Sequence, residues 1–158
     1  MSETKIPNAA VERNRVWIKA VTDSLDLRGD LSLSRSTMRD AGKQCAAQLL
    51  EKTIAHFGRR PESVDELIEA INKRRKEELN ASTFWTRLGN TAHFTLDTCG
   101  CDMVQAGLAE PHPVFCLCSA GMFESLFTPF CKGPVKTETV KAIGKGDTCC
   151  EFIVHFTE

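Results

Sequence analysis

Seven of the chain's eight cysteines fall between Cys99 and Cys150. They are spaced as Cys99-x-Cys101, Cys116-x-Cys118, Cys131 and the adjacent pair Cys149-Cys150. Four thiolates drawn from two short arms suit tetrahedral zinc first and an iron–sulfur cluster second, because soft sulfur prefers such ions. Familiar zinc arms are longer, but a C-x-C arm in an extended segment leaves both sulfurs on one side, which helps them converge. Cys99, Cys101, Cys116 and Cys118 are therefore the expected metal ligands, with Cys131 and Cys150 in reserve. The same residue types also suit nucleophilic chemistry. Cys116 and Cys118 fall near the first turn of an expected helix, where free amides and the helix dipole favour thiolate. His93 or His112 would then move protons, with Asp97 completing a Cys–His–Asp set. The rest of the cysteines have plainer readings. Cys45 falls in a helical apolar stripe and is expected to be a buried small hydrophobe. Cys150 alternates with Phe152, Val154 and Phe156 and reads as core.

The elements that must position these residues can be read from pattern. Residues 1–9 read as a loose polar tail with Pro7 as a breaker. Apolar residues at 11, 17, 18, 21 and 25 give a first helix to Leu27, stopped by Gly29. A second helix opens at Ser34 or Ser36 as cap, buries Met38, Cys45, Leu49, Leu50, Ile54 and Phe57, and ends at Gly58. Ser63 to Glu66 is a capping box for a third helix with Leu67, Ile68, Ile71 and Leu79 inward. Its Lys73–Lys76 basic run, followed by Glu77 and Glu78, reads as a solvated face. The pattern then switches to strands. Phe84–Leu88 and Thr91–Asp97 flank Gly89-Asn90, a two-residue hairpin with glycine at positive φ. Ala92, Phe94 and Leu96 share one face, and His93, Thr95, Asp97 and Cys99 the other. A loop leads to a helix over Val114–Phe127 with Pro113 in its first turn. Strands over Val135–Ile143 and Cys150–Phe156 close the chain around a turn at Gly144–Asp147.

Helices, a hairpin, a helix and two strands make one α+β domain over 1–158, with a helical half at 10–79 and a sheet-plus-helix half at 82–157 that carries the cysteines. The sheet is expected to be four-stranded and antiparallel. A pocket is expected between the 114–127 helix and the sheet, walled by Phe94, Phe115, Met122 and Phe123. A net charge of −1 with mixed signs argues against bulk binding to nucleic acid or an anionic membrane. No signal-peptide form opens the chain, and no apolar run approaches the roughly 20 residues needed to span a bilayer. A cytoplasmic location with reduced thiols is the expectation.

Gly146-Asp147-Thr148-Cys149-Cys150-Glu151-Phe152 resembles the G-D-x-x-C-x-F ending of 4-vinyl-reductase-type domains, a small-molecule-binding fold shared with transport-protein-particle subunits. Thr98-Cys99, Gly107-Leu108, Cys116 or Cys118 and Gly146 to Phe152 are together similar to the L-2-amino-thiazoline-4-carboxylate hydrolase-like proteins. The resemblance covers roughly residues 91–156. The first family implies a zinc ligand at Cys150, although its second cysteine, eight positions earlier, is Ala142 here. The second implies hydrolysis of a small cyclic amide or amidine-like substrate, although its aspartate three positions after the helix-start cysteine is Ser119 or Gly121 here. Three functions follow as expectations. The first is a small-molecule-binding domain with a metal at its cysteines. The second is a hydrolase using Cys116 or Cys118. The third is a homo-oligomeric interaction module with structural cysteines.

Overall fold

The computed structural model describes residues 8–27 and 31–157. Residues 1–7 of the expected 1–9 tail and the stop at Gly29 lie outside them, whereas Asn8 and Ala9 belong to the first helix and not to a tail. The order is α1 (Asn8–Leu27), α2 (Leu31–Phe57), α3 (Val64–Glu77), β1 (Thr86–Leu88), β2 (Thr91–Leu96), α4 (Asp102–Gln105), α5 (Pro113–Phe127), β3 (Lys136–Lys141) and β4 (Cys150–His155). The four strands form one antiparallel sheet in the order β1-β2-β4-β3. The α+β class and the antiparallel sheet are as expected.

Local chemistry explains most boundaries. Leu88 pairs with Thr91, so Gly89-Asn90 is the whole hairpin loop, and Gly89 has φ +58°. Ser63 Oγ accepts from Glu66 N at 3.2 Å, and the Glu66 carboxylate accepts from Glu62 N at 2.9 Å, one residue before the cap. The box is therefore offset from its usual form. Its glutamate is also gripped by both guanidinium nitrogens of Arg59, at 2.7 and 2.8 Å. The α2 start differs from expectation. Ser34 and Ser36 lie inside the helix, donating to Leu25 O (2.9 Å) and Leu33 O (3.0 Å) instead of capping free amides. Leu79 lies past the end of α3 and is exposed. The basic run is only partly a solvated face. Arg75 donates to Thr83 O and Oγ1 and lies 4.6 Å from the Phe94 ring centroid, shielding that ring.

The core lies between α5 and the inner sheet face, with α2 and α3 closing it. Ala92, Phe94, Cys150, Phe152, Val154 and Phe156 alternate inward, as a half-buried sheet requires. Trp85 is its least anticipated member. It is buried, stacks on Phe94 at 4.7 Å, and meets Phe123 edge-on at 5.0 Å. Asn72 on α3 holds it by two main-chain bonds, Nδ2 to Trp85 O and Oδ1 from Trp85 N, each 2.8 Å. The most apolar stretch, Pro113–Phe130, is long enough by composition to cross a membrane, but 44% of it is buried against the protein itself.

Helices α2 and α5 cross unusually closely. A Cβ on Gly42 would stand 2.2 Å from Cys118 O, and one on Gly121 would stand 2.5 Å from Arg39 Cα. Each glycine thus lets its helix touch the backbone of the other.

Candidate functional site

Helix α5 begins at the cysteine segment. Pro113 occupies its first turn, and His112 is its cap, with Nδ1 accepting from Val114 N at 3.3 Å. Cys116 and Cys118 follow on the first turns. Before them, Cys101 is the main-chain cap of α4, its carbonyl accepting from Val104 N and Gln105 N at 3.0 Å. Gln105 Nε2 donates to Cys99 O at 3.1 Å, which fixes the other end of that arm.

Cys99 is within electrostatic reach of Cys116, and Cys101 within reach of Cys118. Each pair has a third sulfur. For the first it is Cys150, whose Sγ accepts from Ile143 N at 3.5 Å while the neighbouring Gly144 N–H bonds Cys116. For the second it is Cys45 on α2, close enough to Cys118 to push that thiol up. Cys45 is exposed, not buried as its apolar stripe suggests. It sits at the rim of the α2–α5 crossing, whereas Ala46 beside it takes the buried position.

The environment keeps these thiols protonated. Burial pushes Cys116 up to about 11, and the nearby Cys150 sulfur adds to this against the opposing Gly144 N–H. Burial pushes Cys118 up to about 12, reinforced by Cys45 and Cys101. The helix-terminus effect that favours thiolate is outweighed here by loss of water. Among the described residues, no group of three or more His, Cys, Asp or Glu is drawn together as metal ligands.

The expected proton carriers are placed elsewhere. His93 alternates with buried Ala92 and Phe94, so it lies on the outer sheet face, across the sheet from α5, with Nε2 2.9 Å from Thr91 Oγ1. His112 is beside Cys116 in sequence, but the Cys116 thiol donates to its main-chain oxygen at 3.8 Å, and its Nδ1 accepts from Val114 N. The expected pocket walls meet one another. Phe94 and Phe123 are edge-to-face at 6.1 Å, with Trp85 against both. Phe115 faces His112 instead, at 6.3 Å. Met122 is partly buried against the core, as is Cys131.

An open groove of about 390 Å³ lies instead between α2, α5 and β3, lined by Arg39, Lys43, Gly121, Glu124, Thr128 and Val135 among others. Glu124 holds it together. One oxygen accepts from Arg39 Nη1 at 2.5 Å and the other from Thr137 N at 2.9 Å, joining two helices and a strand. Sequence reasoning missed this group, because its partners are remote along the chain and no local pattern marks them.

No family model and no curated protein matches this chain. A solved structure does. It is trafficking protein particle complex subunit 3 from Naegleria fowleri, covalently bound to palmitic acid. The two agree with a TM-score of 0.60 at 15% identity, over 95% of this chain and 96% of that one. At that identity the likeness concerns the fold, and it extends through the helical half as well as the sheet. The expected likeness to transport-protein-particle subunits is thus a likeness of fold over nearly the whole chain.

Proposed function

We propose that this chain is an interaction module that assembles with a second copy of itself through α1. The observation that carries this reading is the apolar stripe on that helix. Val16 is 64% exposed, Trp17 66% and Val21 38%, and Leu33 on α2 is 52% exposed. Residues four apart share a helix face, so Val16 with Ala20 and Trp17 with Val21 form one continuous strip. A large exposed indole within an apolar strip is typical of an interface anchor. The neighbouring fold supports the reading, since that protein is named as a subunit of a complex. Sedimentation velocity over a range of concentrations tests it. A reversible dimer that Trp17→Glu weakens about 30-fold or more is expected, as for an anchor whose loss costs about 2 kcal/mol. A monomer at the highest attainable concentration would refute it.

A second reading draws on the nearness of Cys99 to Cys116 and of Cys101 to Cys118. In it the domain binds a small molecule and holds zinc through Cys99, Cys101, Cys116 and Cys118. Zinc supplies the charge that lets buried thiols ionise. Metal analysis of protein purified without added metal decides this. Zinc well below one equivalent, with every thiol titratable, would remove it. The hydrolase reading draws least from the geometry, because Cys116 and Cys118 are held as thiols and His93 lies across the sheet from them. The palmitic acid of the neighbour suggests an acyl chain as the small molecule. In this chain such a ligand would have to part the Phe94, Trp85 and Phe123 rings.

A further inference from the structure

We propose that Cys45 and Cys118 are a dithiol pair that closes to a disulfide across the α2–α5 contact when the protein meets hydrogen peroxide. Neither the assembly reading nor the metal reading is needed for this. Three observations place the sulfurs. The backbones touch at Gly42 and Cys118, where an added Cβ would overlap the Cys118 carbonyl. Cys45 is three residues beyond Gly42, on the adjacent position of the same helix face. Finally, Cys45 is near enough to Cys118 to help push that thiol up. Ordinary helix pairs keep their axes about 8–10 Å apart, which leaves most facing cysteines too distant to join. A disulfide needs Cα atoms roughly 4.4–6.8 Å apart, and a glycine contact one turn away is the device that brings two helices into that range.

The pair is also chemically asymmetric. Cys45 is exposed and meets the oxidant, while Cys118 is half-buried and is met only from within the protein. Peroxide oxidises the Cys45 sulfur to sulfenic acid and is itself reduced to water. Cys118 sulfur then attacks the Cys45 sulfur. The S–O bond breaks, the S–S bond forms, and the hydroxyl leaves as a second water with the Cys118 proton. In sum two thiols and one peroxide give one disulfide and two waters. Cys101 is the competing partner, since it is also within reach of Cys118. It rides on the short α4 segment, whereas Cys45 is fixed on a 27-residue helix.

The test is peroxide treatment of the intact protein, blocking of remaining thiols, digestion and mass mapping without reductant. The expected result is a linked Cys45–Cys118 peptide pair within one chain and the loss of two of the eight titratable thiols. The oxidised protein should also melt about 10 °C higher, reverting on reduction, because the bridge closes a long loop. The exposed substitution Cys45→Ser should abolish the link and the shift while leaving the reduced protein's melting unchanged. A Cys101–Cys118 link, a Cys45–Cys45 link between chains, or Cys45 stopping at sulfenic acid with no cross-link would each overturn the proposal. Because the main variant changes an exposed residue, the result does not depend on whether Cys118→Ser folds.

Discussion

Gly42→Ala tests the close helix crossing on which much of this structure depends. Away from contacts, alanine in place of a helical glycine stabilises a protein by about 1 kcal/mol. Here the new methyl would stand 2.2 Å from Cys118 O and 2.7 Å from Met122 N. Those atoms are four residues apart on α5, so the methyl would press into the donor and acceptor of one helical hydrogen bond. Relief requires the helices to separate by about 1 Å. Because interiors are close-packed, that movement loosens neighbouring contacts as well. Overpacking of this kind costs about 1–3 kcal/mol, and loss of the bond adds about 1 kcal/mol. Set against the propensity gain, the net expectation is a loss of about 2 kcal/mol. In urea denaturation this moves the midpoint down by about 1 M, for a slope of 1–3 kcal/mol per molar. The opposite sign refutes the reasoning. If Gly42→Ala is as stable as the parent or more so, propensity alone governs the site and the backbones do not touch. Failure there would also remove the main geometric support for the Cys45–Cys118 bridge.

The remaining expectations are more local. Asn72→Ala removes both bonds to the Trp85 backbone and leaves that buried amide and carbonyl unpaired, which should cost about 2–3 kcal/mol in equilibrium unfolding; a loss under about 0.5 kcal/mol would show that ring stacking alone holds Trp85. Cys116 and Cys118, raised to about 11 and about 12, should alkylate at pH 8 roughly two to three orders of magnitude more slowly than a free thiol, and a fast-reacting Cys116 would revive the nucleophile reading. The same shifts fix a sign for alkaline pH. Their folded values lie above the ordinary 9.0, so their contribution is present below pH 9 and is lost as pH rises through about 11 to 12; stability in that window should fall less steeply for Cys116→Ala/Cys118→Ala than for the parent. At the acid end, the Glu66 carboxyl is held at about 2 by the Arg59 guanidinium first and the Glu62 amide second. Its contribution is present above the ordinary 4.5 and is lost as pH falls through about 2, so Arg59→Ala should flatten that part of the curve; an unchanged profile would show the pair to be inert.

What could be read in the sequence was whatever depends on neighbours along the chain. The hairpin at Gly89-Asn90, the Ser63 cap, the alternation from Cys150 to Phe156 and the Pro113 helix start all rest on residues within a few positions of one another, and all stand in the structure. The parts that were not legible depend on partners far along the chain. Trp85 lies between two β-forming residues with nothing local to show that Asn72 would clamp it or that three aromatic rings would close the expected pocket. Cys45 was misread because a helical stripe marks a face without saying where the neighbouring helix ends. One position further, Ala46 takes the core, and Cys45 is left at the rim. Arg75 departs from a solvated face because charge pattern carries no information about which guanidinium lies over a ring.

The cysteine segment itself shows how local spacing and tertiary packing divide the work. Spacing leads to the expectation that the two C-x-C arms meet; in the structure Cys99 is within electrostatic reach of Cys116 and Cys101 of Cys118. Packing decided what they meet in. The α2–α5 crossing brings Cys45 near Cys118 as one group, and the closing strand brings Cys150 near Cys116 as the other, while among the described residues no three such side chains are gathered as metal ligands. The groups differ in what surrounds them. Around Cys116 and Cys150, the amides of Ile143 and Gly144 point at sulfur, and Gly144 can do so because its backbone lies against His112, where a Cβ would stand 2.6 Å from the carbonyl. There Cys116 and Cys150 are buried and bonded, and Cys99 beside them is half-buried. Around Cys118, the third sulfur is the exposed one. The exposed Cys45 is where an outside reagent first meets these thiols. The glycine contact that brings Cys45 to Cys118 then matters as much to that chemistry as the cysteines themselves.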